Sequence, residues 1–149
     1  MALEDLYRDV ILDHYRNPRH RQPLDAPDRR AEGVNPLCGD EVTVELKLEG
    51  DTVTDVAVHG QGCSISQSSA SMMSEAIKGK TRAEIAAIAE RFHAMMTAED
   101  ETAAGLDPSR PGSVLGDLEA LQGVRRYPVR IKCASLPWKT LEDALGPAG

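Results

Sequence analysis

Cys38, Cys63 and Cys133 are the three cysteines of a 149-residue chain, and Cys38 shares a short loop with a carboxylate in the stretch Pro36-Leu37-Cys38-Gly39-Asp40. A thiolate and a carboxylate two residues apart can be aimed at one point, because Gly39 allows backbone angles that other residues avoid. So aimed, they make half of a tetrahedral metal site, and Cys63 and Cys133 are expected to supply the other half. Cys63 follows Gly60-Gln61-Gly62 at the expected start of a helix, where free N–H groups and the helix dipole favour a thiolate. Arg130 and Lys132 favour one at Cys133. Zinc suits such a set of sulfur and oxygen donors, and an iron–sulfur cluster would accept it too. A lone intracellular cysteine is more often a small buried hydrophobe. Three in glycine- or cation-flanked positions weigh against that reading, although no Cys-x-x-Cys is present. His14, His20, His59 and His93 lack ligand spacing to any cysteine and are read as structural or solvent-exposed.

The elements that must position these groups follow from hydrophobic spacing. Leu3, Leu6, Tyr7, Val10, Ile11, His14 and Tyr15 form one stripe of a helix that Asn17-Pro18 stops. Arg19 to Gly33 is polar and proline-bearing, read as a solvated loop or, with the first helix, a dock for an acidic partner. Val42, Val44, Leu46 and Leu48 alternate with polar residues as a strand, and Glu49-Gly50-Asp51 turns into a second strand, Thr52 to His59, irregular near Val53. Two strands are marginal alone, so a third is expected, with Glu32 to Pro36 a short candidate. After Cys63 a serine-rich helix carries Ile65, Met72, Met73, Ala76 and Ile77 and ends at Gly79. Thr81-Arg82-Ala83-Glu84 is a capping box opening a helix with Ile85, Ile88, Phe92, Met95 and Met96. Thr97 to Ser113 reads as an acidic, glycine- and proline-bearing surface loop (Glu99, Asp100, Glu101, Gly105, Pro108, Pro111, Gly112). A short helix is expected near Val114 to Leu121, then a turn or short helix from Pro128 through Cys133. Pro137 is placed to start the final helix, Trp138 to Leu145.

The whole chain reads as one domain, residues 1–149, long enough to bury roughly 70% of its unfolded surface. Aromatics are scarce (one Phe, one Trp, three Tyr), so Val, Ile, Leu, Ala and Met must build the core and a metal has room to add folding energy. A net charge of −7 makes nucleic acid a poor partner, and there is no apolar run long enough to span a membrane. The N-terminus lacks the features of a signal peptide, and three cysteines do not pair off as a disulfide framework, so reduced thiols in a cytoplasm are expected.

Asn35-Pro36-Leu37-Cys38-Gly39-Asp40, Gly60-Gln61-Gly62-Cys63-Ser64-Ile65-Ser66 and Lys132-Cys133-Ala134-Ser135-Leu136 together resemble the three motifs of the NifU/IscU-like family. The stretch Leu6-Tyr7 to His14-Tyr15-Arg16-Asn17-Pro18 matches as well, so the resemblance spans nearly the whole chain. It implies an α+β fold: a small antiparallel three-stranded sheet packed against about five to six helices, with the cysteines converging at one exposed end. The scaffold branch of the family, the IscU type, carries a histidine before its third cysteine, where this chain has Lys132. The zinc-dependent sulfurtransferase branch, the SufU type, lacks it and carries an insertion that Thr97 to Ser113 looks like. Membership of that branch implies one Zn2+ per chain on Cys38, Asp40, Cys63 and Cys133, with Cys38 accepting persulfide sulfur. The donor would be a SufS-type cysteine desulfurase, one of whose histidines replaces Cys38 on the metal. Downstream SUF cluster-assembly proteins would be the recipients. Arg125, Arg126, Arg130 and Lys132 are candidates to steer docking. An iron–sulfur scaffold, holding a cluster in passing, is the alternative; a purely structural zinc module for protein binding is a third reading.

Overall fold

A computed structural model describes residues 3–98, 106, 109–110 and 113–146, with side chains described from residue 7 onward. Three antiparallel strands, β1 (Arg29–Asn35), β2 (Asp40–Glu49) and β3 (Thr52–Gln61), lie in the order β1-β2-β3. Against them pack α1 (Leu3–Arg16), α2 (Ser64–Ile77), α3 (Arg82–Thr97), a 3₁₀ segment (Gly116–Arg126) and α4 (Pro128–Leu145). Among the described residues that makes five helical elements, the α+β arrangement expected from the sequence. No helix among them is long and apolar enough to cross a membrane.

Strand alternation sets one sheet face against the helices. Val42, Val44 and Leu46 are almost fully buried, and Asp40 shares their phase, so its carboxylate points into the helix layer. The irregularity expected near Val53 is a bulge: Lys47 pairs with Asp55 but Leu48 with Val53, leaving Thr54 over. β1 is longer than the short candidate Glu32 to Pro36, because Arg29–Gly33, read as loop, pairs with β2 from Leu46 to Val42. Its weak alternation hid it; inward-facing positions are only Ala31, Gly33 and Asn35. The rest of the polar segment is docked rather than free. The His20 carbonyl accepts the Val58 N–H at 2.8 Å, and buried Glu45 accepts the Leu24 N–H at 3.1 Å.

The serines of α2 do what small side chains permit, packing closely while satisfying themselves. Ser68 donates to the Ile11 carbonyl of α1 (2.9 Å) and Ser69 to the Ala134 carbonyl of α4 (2.6 Å). Three sequence readings need correction in the C-terminal third. The expected helix near Val114 to Leu121 is the 3₁₀ segment, starting and ending later. Pro137 does not start a helix: α4 runs unbroken from Pro128 to Leu145 with Pro137 inside it. Cys133 therefore sits within a helix and not before one. The core also uses the scarce aromatics, since Phe92 and Trp138, both fully buried, stack with ring centroids 4.9 Å apart. The loop residues Glu99, Asp100, Glu101, Gly105, Pro108, Pro111 and Gly112 lie outside the described residues.

Candidate metal centre

Three elements bring the chemistry together at one end of the sheet. Asp40 is the first residue of β2, Cys38 sits in the loop joining β1 to β2, and Cys133 faces them from α4. The Cys38 and Cys133 sulfurs and an Asp40 oxygen all lie within 4.8 Å of one another. Cys63, the cap residue of α2, is adjacent: its backbone N–H donates to Asp40 Oδ1 at 2.9 Å, and its thiol interacts with Asp40 and Cys133. Its sulfur points toward Ser66 Oγ, 3.8 Å away, and stands outside the tight group of three.

The two halves of the group are held very differently. Asp40 and Cys133 have no solvent exposure, whereas Cys38 is half-exposed. Asp40 Oδ1 accepts from the Cys63 N–H and from Ser66 Oγ at 3.0 Å. Asn35, the register partner of Asp40, reaches both Asp40 Oδ2 at 3.5 Å and Cys133 Sγ at 3.6 Å with one amide nitrogen. Gly62 completes this cradle, because a Cβ there would overlap Asp40 Oδ1. Cys38 is held more lightly: its backbone N–H donates to the Asn35 carbonyl at 3.3 Å, and its thiol hydrogen-bonds Cys133. Its neighbour Gly39 holds a φ of +67° with nothing within 4 Å of where a side chain would begin. Asn35 and Ser66 were not singled out as site residues in the sequence. Ser66, one turn after Cys63, and Asn35, opposite Asp40 in the hairpin, become visible once the register is known.

Electrostatics favour a cation at this point. Burial raises the Asp40 carboxyl, but the Cys63 N–H and the Cys133, Ser66 and Cys63 side chains outweigh it and hold the group below its ordinary value. Burial first, then hydrogen bonds with Cys38 and Asp40 and the charge of Cys63, pushes the Cys133 thiol far up. Donors crowded in this way become thiolates together only when a positive ion joins them. Tetrahedral zinc, with bonds of about 2.3 Å to sulfur and 2.0 Å to oxygen, wants donors roughly 3.5–3.8 Å apart. The donor types fit, and three of the four donors are gathered to within 4.8 Å of one another. Arg130, exposed on α4 one turn before Cys133, adds charge beside the site: it interacts with Cys63, hydrogen-bonds Cys133 and faces Cys38. Arg126 and Lys132 are exposed, while Arg125 is half-buried with its Nη1 shielded and unbonded among the described residues. The histidines stand apart, as expected: His14 is buried between Ser71 and Asp117, at 2.8 Å from each, His59 faces Glu45 and His93 faces Glu142.

A three-stranded sheet carrying a Cys–Asp–Cys group against a helix defines the class, and the chain belongs to the NifU-like N-terminal domain family, whose model matches residues 6–134. It is 46% identical over 143 residues to the zinc-dependent sulfurtransferase SufU of Bacillus subtilis (strain 168), covering 96% of this chain and 91% of that one. To the iron–sulfur cluster assembly scaffold protein IscU of Streptococcus pyogenes serotype M1 it is 36% identical, over 96% of this chain and 84% of the other. Its fold superposes with a TM-score of 0.80 on a crystal structure named for iron–sulfur cluster assembly in the SUF system of Fervidobacterium islandicum AW-1. That match is 35% identical over 97% of this chain and 100% of the other.

Proposed function

We propose that this chain is a zinc-dependent sulfurtransferase that takes persulfide sulfur from a SufS-type cysteine desulfurase in the cytoplasm and hands it to SUF cluster-assembly proteins. The observation that carries the reading is the unequal anchoring of the site: Asp40 and Cys133 are fully buried, Cys63 is half-buried at the cap of α2, and Cys38, also half-buried, is the one thiol carried by a loop, beside the Gly39 hinge. One Zn2+ on Cys38, Asp40, Cys63 and Cys133 would keep the thiols deprotonated and damp their reactivity until needed. Cys63 joins the set by turning its sulfur away from Ser66. Lys132, where the scaffold type has histidine, is exposed and does not extend the donor set. The similarity to a sulfurtransferase over 96% of the chain supports the same reading.

The residues then act as follows. Gly39 lets Cys38 swing outward while Asn35, Ser66 and the Cys63 N–H hold Asp40 in place. The Cys38 thiolate attacks the outer sulfur of a persulfide on the partner's cysteine. A bond forms between Cys38 Sγ and that sulfur, the partner's S–S bond breaks, and the partner's cysteine leaves as a thiolate. Cys38 now carries the persulfide with its proton, and no net oxidation or reduction occurs. Arg130 places positive charge where the two anionic sulfurs meet.

Purified protein is expected to hold about one zinc per chain, and Cys38→Ala to abolish acceleration of a SufS-type desulfurase, with the transferred sulfur mapped to Cys38 by mass spectrometry. Normal acceleration by Cys38→Ala combined with failure of Cys63→Ala would move the acceptor to Cys63. A second reading, an IscU-type scaffold, is favoured by the 36% identity to a protein of that name. A stable, transferable cluster reconstituted anaerobically on the zinc-containing chain would favour it.

A further inference from the structure

Large apolar side chains are seldom left in water without a use when they gather round a reactive group. Five are exposed among the described residues: Leu37, at 73%, adjoins Cys38 in the chain, Val129, at 57%, has its carbonyl 3.9 Å from the Cys133 sulfur, and Tyr127, at 63%, caps α4. Leu37 precedes Cys38 in the β1–β2 loop. Val129 lies one turn before Cys133 on α4, so it stands above that sulfur on the same helix face, and Tyr127 begins the same helix end. Arg130 stands beside the three cysteine side chains, and Arg126, also exposed, ends the 3₁₀ segment that leads into α4. The chain as a whole carries −7, so Arg130 beside the sulfurs is a local reversal of sign.

We infer that Leu37, Tyr127 and Val129 form the apolar anchor for the persulfide-bearing partner, and that Leu37 is the handle by which docking draws Cys38 out of the site. The inference rests on the sulfurtransferase reading and deepens it. The surface fits a partner whose persulfide cysteine lies in an apolar recess edged by acidic side chains. Interfaces of this kind draw their affinity from a few desolvated apolar anchors, while rim charges act mainly on the rate of encounter. Leu37 differs from the other two anchors in what it is attached to. Val129 and Tyr127 stand on a helix, but Leu37 is one peptide bond from Cys38 and two residues from the open Gly39 hinge. A recess that buries Leu37 therefore pulls on the one thiol of the group that no helix anchors, since Cys63 caps α2 and Cys133 lies within α4. Docking and thiol release become one event, which keeps Cys38 withheld from stray electrophiles until the donor is seated.

The test uses the zinc-loaded full chain and a SufS-type cysteine desulfurase, with affinity measured by calorimetry and Cys38 alkylation by iodoacetamide followed by mass mapping. Leu37→Ala is expected to weaken binding roughly ten-fold. Even at saturating desulfurase it should fail to show the faster Cys38 alkylation that the partner induces in the unaltered chain. Leu37→Met should retain both. Val129→Ala should weaken binding similarly yet recover full Cys38 alkylation at saturation, and Arg126→Ala should slow association with a reduced salt dependence. All three positions are exposed surface, so circular dichroism should match the unaltered chain. If Leu37→Ala binds and exposes Cys38 like the unaltered chain, the handle is refuted while sulfur transfer stands. If Val129→Ala, like Leu37→Ala, fails to expose Cys38 at saturation, the special role of Leu37 is refuted. If the unaltered chain shows neither binding nor sulfur transfer, both readings fall.

Discussion

At the scale of single residues the centre is built from unequal partners, and Asn35 shows how. Its amide nitrogen lies between the Asp40 carboxylate and the Cys133 sulfur, so one side chain orients both buried donors. Groups in this outer position set the direction and basicity of a metal ligand, and removing them typically costs about 10- to 100-fold in metal affinity. Asn35→Leu keeps the size but cannot donate. It is expected to lose zinc to a chelator about 10- to 100-fold more readily than the unaltered chain. In the cobalt-substituted protein it should also shift the thiolate-to-metal charge-transfer band, which a purely structural residue would leave alone. Unchanged competition and an unchanged spectrum would remove Asn35 from the site. The meeting of Cys38, Asp40 and Cys133 was legible in the sequence because thiols are few and each adjoins a turn or a cation. The braces were not, since an asparagine or a serine in a motif reads the same whether it faces a ligand or water until strand register fixes its direction.

Among the elements, α3 is the one whose local signals and structure agree most closely. Thr81 Oγ1 accepts the Glu84 N–H at 3.2 Å, and the Glu84 carboxylate accepts the Thr81 N–H at 3.0 Å. Removing such a cap costs about 1 kcal/mol, so Thr81→Ala is expected to lower the unfolding free energy by that amount in urea titration. The cap is also sensitive to acid. Hydrogen bonds from the Thr81 backbone and side chain hold Glu84 below its ordinary value of 4.5. A group lowered in the folded state contributes stability that is complete above its unfolded pKa and fades as pH falls through the folded one. The cost of Glu84→Gln should therefore be visible at neutral pH and vanish in strong acid; a cost independent of pH would mean the carboxylate charge is irrelevant. The strands β2 and β3 were equally legible, by alternation. The helix α4 was not, because Pro137 reads as a start when considered locally. Inside the helix it withholds an N–H from the carbonyl four residues back, that of Cys133. Packing of Trp138 on Phe92 and of Gly33 against Thr140 holds the helix together across that defect. Tertiary contact overrode local preference there.

For the whole molecule the question is how far the fold depends on its metal. The donors come from the β1–β2 loop, from β2 and from α4, so a bound ion ties the sheet to the helix that crosses it. Yet the apolar core is continuous without it, running from Val44 and Leu46 through Met73, Phe92 and Leu121 to Trp138 and Leu141. The buried clamp of His14 between Ser71 and Asp117 fastens α1 to α2 and to the 3₁₀ segment at a distance from the cysteines. The sparse aromatics suggested a core in need of a metal, but the single Phe92 and Trp138 are stacked inside it. Small zinc modules that lack such a core unfold when stripped. This chain should behave otherwise. Chelation is expected to leave the helical circular dichroism and a cooperative thermal transition in place, with the midpoint lowered by an amount that depends on free zinc. Ligand held only by the folded state stabilises it by about 4 kcal/mol at a thousand times its dissociation constant, so the midpoint should climb as zinc is titrated back. Cys133→Ala should flatten that climb. Cys38→Ala should flatten it less, because the braced donors remain. Collapse of all structure on chelation would show that the metal, and not the core, holds the sheet to α4, and a swinging Cys38 would then be incompatible with a stable fold.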